Sequence, residues 1–307
     1  MELLLILLPL AVLGLAFDGG GSDDASSPPA GQDGSVTRDS DAASALSGDA
    51  DNNMILGAGG NDSLSGGDGT DVLLGELGAD LLEGGNGDDL LLGAWGNDEL
   101  VGGAGDDALI GGSGNDDLIG GAGSDLLLGA SGGDALVGGD GDDLLIGLEV
   151  TVDRGPEDLA GLDLAAFEEE LRSYIGDDLT EADLRRATVG LTNGSSAESV
   201  PDLLQGDAGN DTLVGDDGDV ISGGTGVDDF SVLAQSGADI TTIIDFDPAL
   251  ETLAVLVDGP ATGALTFAND AAGDGLNILL NGQIVANLEG VSANQIRAGS
   301  LTIQSLS

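Results

Sequence analysis

Leucine or isoleucine recurs at every ninth position between residues 55 and 145. Glycine keeps the same period from Gly48 to Gly138, and the unit is G-x-x-G-x-D-x-L-x. A fixed period of this kind is typical of solenoids, in which each short unit packs only on its neighbours. The recurring apolar positions are Ile55, Leu64, Leu73, Leu82, Leu91, Leu100, Leu109, Leu118, Leu127, Leu136 and Leu145.

The positions of the unit predict a turn followed by a short strand. The glycines allow the positive φ angles and close backbone approach of a tight turn. The last three residues form a strand, and its middle side chain points inward because side chains alternate along a strand. Two units complete one coil. The pattern therefore predicts an all-β protein, a parallel β-roll (β-solenoid) with a continuous leucine core.

Charge changes this picture, because 57 Asp and Glu face only 6 Lys and Arg, for a net charge of −51. Such repulsion favours disorder, yet 41% of the residues are hydrophobic, too many for a chain that never packs. The acidic balance speaks against nucleic acid as a partner, which requires clustered basic residues. Cations are the natural counter-charge.

The chain contains neither cysteine nor histidine. Disulfides, thiolate metal sites, zinc-protease motifs and Ser-His-Asp triads are thereby excluded together. The oxygen donors that remain, carboxylates and backbone carbonyls, are the ligands of hard cations. Calcium is favoured over magnesium because calcium tolerates many carbonyl ligands.

The repeated unit resembles the RTX nonapeptide GGxGxDxUx of hemolysin-type calcium-binding proteins. The resemblance implies that the sixth-position side chain and the carbonyls of the glycine turn coordinate Ca²⁺ between stacked turns. Asn53 opens the series and departs from the aspartate pattern. The other implied ligands in this block are Asp62, Asp71, Asp80, Asp89, Asp98, Asp107, Asp116, Asp125, Asp134 and Asp143.

The repeats resume after an interruption, and the resemblance implies further ligands at Asp211, Asp219 and Asp228. Asp219 is the weakest of these, because its unit is one residue short. The pattern predicts six regions. They are an apolar N-terminal signal or anchor segment (1–17), a flexible linker (18–47), the RTX β-roll (48–147), a helical insertion (148–205), a second RTX block (206–231) and a β-rich C-terminal cap (232–307).

Two export routes compete in these predictions. The apolar run Leu3 to Phe17 is nearer in length to a signal-peptide core than to a membrane span, although no basic residue precedes it. The family resemblance instead implies a C-terminal signal read by type I secretion machinery, as in bacterial RTX proteins. Within the cap, runs around 253–257, 265–267 and 278–280 predict strands, and Asn281-Gly282 predicts a hairpin turn.

Alternate units place an apolar wall on one side of the roll. Its outward residues are Met54, Leu56, Val72, Leu74, Leu90, Leu92, Ala108, Ile110, Leu126, Leu128, Leu144 and Ile146. A face of this size calls for a cover. A helix predicted from about Pro156 to Ile175 has the matching length, roughly 30 Å. A homodimer interface and a surface partner are the alternatives.

These observations predict a secreted, non-enzymatic calcium-binding RTX protein that folds on binding several Ca²⁺ ions. The alternative is a calcium-stabilised cell-surface adhesin or structural protein. Residues 129–133 match the nucleophile pattern G-x-S-x-G, but they lie in repeat register and no histidine is present to act as base. An enzyme is therefore not expected.

Overall fold

The structure is a computed structural model that describes residues 35–38, 42–147, 200–216, 218–234, 240–257, 263–270, 273, 275–297 and 299–305. Within these residues all regular secondary structure is β-strand, in two long sheets. No helix in the described part of the chain has the length and apolarity needed to cross a bilayer. The predicted helix at 156–175 and the apolar run at 3–17 lie outside the described residues.

Sheet A has 11 strands, and their order in the sheet follows the chain. All its neighbouring strands pair in parallel. The strands are β1 (Ser35–Arg38), β3 (Asn53–Leu56), β5 (Val72–Leu77), β7 (Leu90–Trp95), β9 (Ala108–Ser113), β11 (Leu126–Ser131), β13 (Leu144–Ile146), β15 (Thr212–Gly215), β17 (Asp229–Leu233), β19 (Thr252–Val257) and β23 (Leu301–Ser305).

Sheet B has 12 strands and faces sheet A. Nine of them follow the chain in parallel as β2 (Ala45–Ser47), β4 (Ser63–Asp68), β6 (Leu81–Asn86), β8 (Glu99–Ala104), β10 (Asp117–Ala122), β12 (Ala135–Asp140), β14 (Leu203–Ala208), β16 (Val220–Ser222) and β18 (Thr241–Ile243). The sheet ends with β22 (Gln283–Glu289), β21 (Gly275–Leu280) and β20 (Leu265–Asn269); β22 is parallel to β18, and the last two pairings are antiparallel.

The chain alternates between the two sheets, so each coil contributes one strand to each. The predicted leucine column is confirmed: Ile55 and the leucines at 64 to 145 are fully buried between the sheets. Leu204, Leu213, Ile221 and Phe230 extend the same core beyond the interruption. Each column position contacts only neighbouring coils, and the stack as a whole excludes water from the core.

The strands are longer than the three residues predicted per unit. β5, for example, continues through Gly75 to Leu77. Turns on adjacent coils also pair through their backbones, as where Gly78 N–H donates to the Trp95 carbonyl at 2.9 Å. This pairing extends the ladder into the turn.

Two predicted boundaries need correction. The segment 18–47, predicted as a flexible linker, contains β1 and β2, and Leu46 of β2 packs against the core beside Leu64. The insertion predicted to end at residue 205 ends earlier, because β14 begins at Leu203. In both places the strands of the roll continue, although the sequence directly before them does not contain a complete G-x-x-G-x-D turn.

The strands and hairpin predicted in the C-terminal region are confirmed. Asn281 and Gly282 have φ angles of 53° and 87° between β21 and β22, as a two-residue hairpin turn requires. β19, β22 and β23 continue the two parallel stacks, so this region extends the roll before closing it with antiparallel strands. Phe246 is buried and meets Phe230 edge to face, with 5.7 Å between ring centroids.

Candidate metal-binding turns

Turns that lead from sheet A to sheet B form one edge of the roll, and turns that lead from B to A form the other. We call them A-to-B and B-to-A turns. Each brings one buried sixth-position side chain to the same place in every coil. The A-to-B column contains Asp62, Asp80, Asp98, Asp116, Asp134, Asp202 and Asp219. The B-to-A column contains Asn53, Asp71, Asp89, Asp107, Asp125, Asp143, Asp211 and Asp228.

One oxygen of each aspartate links neighbouring coils. The backbone N–H of Asp89 donates to Oδ1 of Asp107 at 2.8 Å, and the N–H of Asp98 donates to Oδ1 of Asp116 at the same distance. The same bond repeats through both columns, at 2.7 to 2.9 Å. These bonds hold each carboxylate in a fixed orientation beneath the next turn.

The second oxygen of most of these carboxylates faces inward to the turn and is buried with no hydrogen-bond donor. An unpartnered buried carboxylate oxygen is costly unless a cation compensates it. The oxygens in this state are Oδ2 of Asp62, Asp71, Asp80, Asp89, Asp98, Asp107, Asp116, Asp125, Asp143, Asp211 and Asp228.

Backbone carbonyls converge on the same space. A β-carbon placed on Gly84 would lie 2.4 Å from Oδ2 of Asp89 and 2.7 Å from the carbonyl oxygen of Gly102 on the next coil. A β-carbon on Gly105 would lie 2.2 Å from the carbonyl oxygen of Gly87. Only glycine leaves room for these oxygens, so the glycines at the first and fourth positions create an oxygen-lined cradle between stacked turns.

Burial raises the pKa of these aspartates, because desolvation disfavours the charged form and neighbouring carboxylates add repulsion. The pKa rises to about 7 for Asp89 and Asp98 and to about 8 for Asp107 and Asp116, despite the backbone hydrogen bond that each accepts. In the absence of a cation, the folded roll therefore favours protonated carboxyls near neutral pH.

We predict that the metal-free chain is more structured at mildly acidic pH than at alkaline pH. The folded pKa values of about 7 to 8 exceed the unfolded value of roughly 3.9. The resulting stabilisation is fully present below about pH 4 and is lost as pH rises through 7 to 8. Circular dichroism in chelator should show more β-structure at pH 5.5 than at pH 8.5; equal or reversed signals would contradict the prediction.

The donor set fits calcium. No three acidic side chains converge into a side-chain metal centre within the described residues, so any ion held here must also use backbone carbonyls. A carboxylate oxygen combined with several carbonyls, without nitrogen or sulfur, is a ligand set for a hard cation with flexible coordination. Each cradle presents this set between coils.

A family model described as the RTX calcium-binding nonapeptide repeat matches residues 47–82, 65–100, 74–109, 92–127, 128–149 and 201–230. These segments are RTX calcium-binding repeats. Among solved structures, the chain is similar to the extracellular lipase LipA from Serratia marcescens, with 18% identity over 82% of this chain and 40% of the lipase, and a TM-score of 0.20. A TM-score this low establishes neither a shared fold nor a shared activity. No curated protein matches the chain.

Two predicted ligands differ from the other RTX positions. Asn53 donates its side-chain N–H to Oδ1 of Asp49 at 3.3 Å and to the carbonyl of Asp51, so its amide supplies hydrogen to nearby oxygens. Oδ2 of Asp219 accepts the backbone N–H of Asp216 at 2.7 Å, because the shortened turn folds back on itself. Both residues continue the backbone ladder. Each also places a side-chain oxygen beside the first glycine of its turn, because a β-carbon on Gly48 would lie 2.8 Å from Oδ1 of Asn53 and one on Gly215 would lie 2.6 Å from Oδ2 of Asp219. The two turns differ from the others in that the first has Asp51 in place of the fourth glycine and that Oδ2 of Asp219 already accepts a hydrogen bond.

Asp202 belongs to the A-to-B column but was not predicted. Its N–H donates to Oδ1 of Asp219 at 2.8 Å, and its Oδ1 accepts the N–H of Asp134 at 2.7 Å. Burial and repulsion from Asp219 and Asp134 raise its pKa to about 9. The available signal was the sequence Asp202-Leu203-Leu204, which has the D-x-L spacing of an RTX unit.

Acidic residues beyond the last RTX unit cap the B-to-A column. Asp245 accepts the backbone N–H groups of Gly223 and Gly224 at 3.0 and 2.9 Å. Glu251 directly precedes β19, in the same place as the aspartates that precede the earlier strands of sheet A. Desolvation, with a smaller contribution from the repulsion of Asp228 and Asp245, raises the pKa of Glu251 to about 7. These residues extend the negative character of the column past the predicted ligands.

Proposed function

We propose that this protein is an exported, non-enzymatic calcium-binding protein whose RTX roll folds when Ca²⁺ fills the turns. One observation carries the proposal: a column of buried aspartate oxygens without donors, repeated coil after coil beside glycine carbonyls. Such an arrangement is costly on its own and favourable around divalent cations.

Sixth-position aspartates and the carbonyls of the first and fourth glycines would hold the ions. Calcium bound there would supply the positive charge that compensates these buried oxygens. The chain's own contribution is the orientation of the ligands: the N–H of one aspartate fixes the carboxylate of the next, and the leucine column sets the spacing between coils. Without the ions, repulsion within a chain of charge −51 opposes this stacking.

Calcium-coupled folding suits an exported protein. Extracellular calcium modules operate at about 10⁻⁴ to 10⁻³ M, far above cytosolic calcium. A chain that remains unfolded inside the cell and folds outside can pass through a secretion channel before it compacts. Type I secretion through a C-terminal signal and export through the N-terminal apolar segment both remain routes within this proposal.

The adhesin alternative receives less support. Display through the apolar wall would need that face to be open, yet Leu56, Leu92 and Ile110 on the wall are at most 5% exposed. The catalytic alternative also receives little support. Ser131, the serine of the G-x-S-x-G match, is buried in β11, and the chain has no histidine to activate it.

Adjacent aspartates provide a matched test of the calcium sites. Asp107 is buried in the cradle, whereas Asp106 occupies the exposed fifth position and accepts the N–H of Ser124 at 2.7 Å. We expect Asp107→Asn to lower the calcium stoichiometry by at least one ion and to raise the folding midpoint in calcium by roughly tenfold. Asp106→Asn removes the same charge but should leave the stoichiometry unchanged. Equilibrium dialysis and circular dichroism measure both quantities.

The comparison separates ligation from general charge. If both variants lose the same amount of calcium, the ions respond to total negative charge and the cradle assignment is wrong. If neither variant changes binding, calcium lies elsewhere. Asn53, which stands at the sixth position of the first B-to-A turn, shows that the turn geometry accommodates asparagine, so a loss in Asp107→Asn reports on ligation.

A further inference from the structure

The outward face of sheet A is buried, although the equivalent face of sheet B is open to solvent. Ile110, which points outward from β9, is 5% exposed, whereas Ile119 at the equivalent place on β10 is 40% exposed. Both sheets have the same spacing between strands, so neighbours within a sheet do not explain the difference. Something lies over the apolar wall.

The described strands do not provide this cover. The buried cluster formed by the apolar wall contains residues of sheet A and of its A-to-B turns alone, and the partly buried hydrophobic residues packed against it, Leu126, Leu144 and Val214, are also on sheet A. Within the described ranges, all regular elements belong to the two sheets themselves. The structure contains one copy of the chain, so this burial comes from another segment of the same chain.

The A-to-B turns are adapted to contact the same cover. At their second position they carry Ala58, Glu76, Ala94 and Ala130 at φ angles of 73° to 83°, interrupted by Gly112. A β-carbon in this left-handed region costs roughly 1–2 kcal/mol per residue. The equivalent B-to-A positions use glycine at Gly67, Gly85, Gly103, Gly121 and Gly139, with the exception of Asp207 at φ 73°.

The side chains of these four turn residues are at most 9% exposed, and Ala130 is part of the buried wall cluster. These residues keep a β-carbon although it strains the backbone, and that β-carbon is buried. This combination indicates that the side chain makes a packing contact that glycine could not make. The cover therefore extends beyond the wall onto the A-to-B edge.

At the C-terminal end of the wall, residues near the A-to-B edge are more buried than residues near the B-to-A edge, which indicates that the cover lies toward the A-to-B edge. Leu128 and Ile146 lie near the A-to-B edge and are buried. Leu126 and Leu144, on the same strands but near the B-to-A edge, are partly exposed. At this same edge the described residues end at Gly147 and resume at Val200, in front of Asp202.

We propose that the segment 148–199 lies over the apolar wall and the A-to-B edge. Five strand intervals separate β13 from β3, a distance of about 24 Å. The segment is long enough for two arms of about 25 residues, each roughly 37 Å if helical. Its sequence offers apolar residues at helical spacing, including Leu159, Leu162 and Phe167, to meet an apolar face. The proposal does not depend on which cation the turns hold.

Photo-crosslinking in the full chain tests this placement. The chain has 2 methionines, Met1 and Met54, so photo-methionine can be directed to chosen sites. In Met54→Leu/Ile110→Met the probe stands in the centre of the apolar wall, and in Met54→Leu/Ile119→Met it stands on the open face of sheet B. With calcium present, we expect the probe at 110 to crosslink to peptides from 148–199 and the probe at 119 to give no such product.

Crosslinks from position 110 into residues 1–34 would identify the N-terminal segment as the cover and overturn the proposal. Crosslinked dimers that increase with protein concentration would identify a second copy and would overturn it equally. A probe at 110 that reacts only with solvent would show that the wall is open.

Thiol reactivity provides an independent measurement, since the chain has no cysteine of its own. We expect Ile110→Cys to react at least about tenfold more slowly than Ile119→Cys in the intact chain. Residues 148–201 can be replaced by Ala-Ser-Gly-Gly, the sequence of the preceding A-to-B turn at 130–133. This replacement should raise the reactivity of Ile110→Cys and leave that of Ile119→Cys unchanged. Continued protection at position 110 would contradict the proposal.

Discussion

Replacing Gly96 by alanine is expected to prevent the coils around it from stacking, even in saturating calcium. Gly96 has φ 142°, and a β-carbon there would lie 1.3 Å from the carbonyl oxygen of Gly78. The obstruction is backbone that belongs to the neighbouring turn, so no side chain can move aside. We expect a loss of more than about 3 kcal/mol in the free energy of unfolding, or loss of the β-sheet signal altogether.

Gly290→Ala is the matched control for this prediction. Gly290 also has a positive φ, 69°, but no atom lies within 4 Å of the added carbon. Its cost should be only the strain of a left-handed alanine, about 1–2 kcal/mol. Denaturant unfolding in calcium measures both variants. Equal losses would show that conformational strain alone matters and that close stacking of turns does not.

Leu109→Ala is the second substitution with a large expected effect. Leu109 is fully buried in the middle of the inward column, where it contacts leucines of adjacent coils. Loss of the side chain leaves a cavity that rigid parallel strands cannot close, so we expect a cost of about 2–5 kcal/mol. Urea unfolding of the calcium-loaded protein measures this difference.

Leu77→Ala is the matched control, because it makes the same substitution at an exposed leucine. Leu77 is 52% exposed at the end of β5, and its truncation should change the free energy of unfolding by less than about 1 kcal/mol. If Leu109→Ala proved as mild as this control, the leucine column would not be the core that holds the coils together.

The repeating part of the fold could be predicted from sequence because one period sets several features at once. The position of Leu109 within its unit predicted both its strand and its inward direction, and the position of Asp107 predicted that it faces the turn. In a solenoid each coil has the same surroundings, so a prediction that holds for one unit holds for its neighbours. The alternation of units between two sheets also predicted that one outward face is apolar and the other is mixed.

Prediction failed where the roll continues without its glycine turn. Leu46 lies nine residues before Ile55, but no glycine turn separates it from the segment predicted as a linker. Asp202 completes a turn whose first glycine is Gly147, far away in the sequence. Glu251 occupies an aspartate-like place in a coil of different length. In each case the position of the residue is determined by pairing with strands of neighbouring coils, which cannot be predicted from the nine-residue period alone.

The electrostatics of the fold explain why calcium is central to this account. The roll brings carboxylates into two buried columns, where the pKa of Asp107 and Asp116 rises to about 8. A folded state of this kind must take up protons or bind cations at neutral pH. The glycine cradles favour the binding of cations, because they bring carboxylate and carbonyl oxygens together between adjacent coils.

Circular dichroism of the full chain at neutral pH, during titration with calcium and separately with magnesium, tests the central claim most directly. We predict little β-structure in chelator, a cooperative transition to β-sheet at about 10⁻⁴ to 10⁻³ M calcium, and a much weaker response to magnesium, which holds its waters and demands octahedral geometry. Complete β-structure in chelator would contradict the claim, because the roll would then form without the cations that its buried carboxylates are proposed to bind.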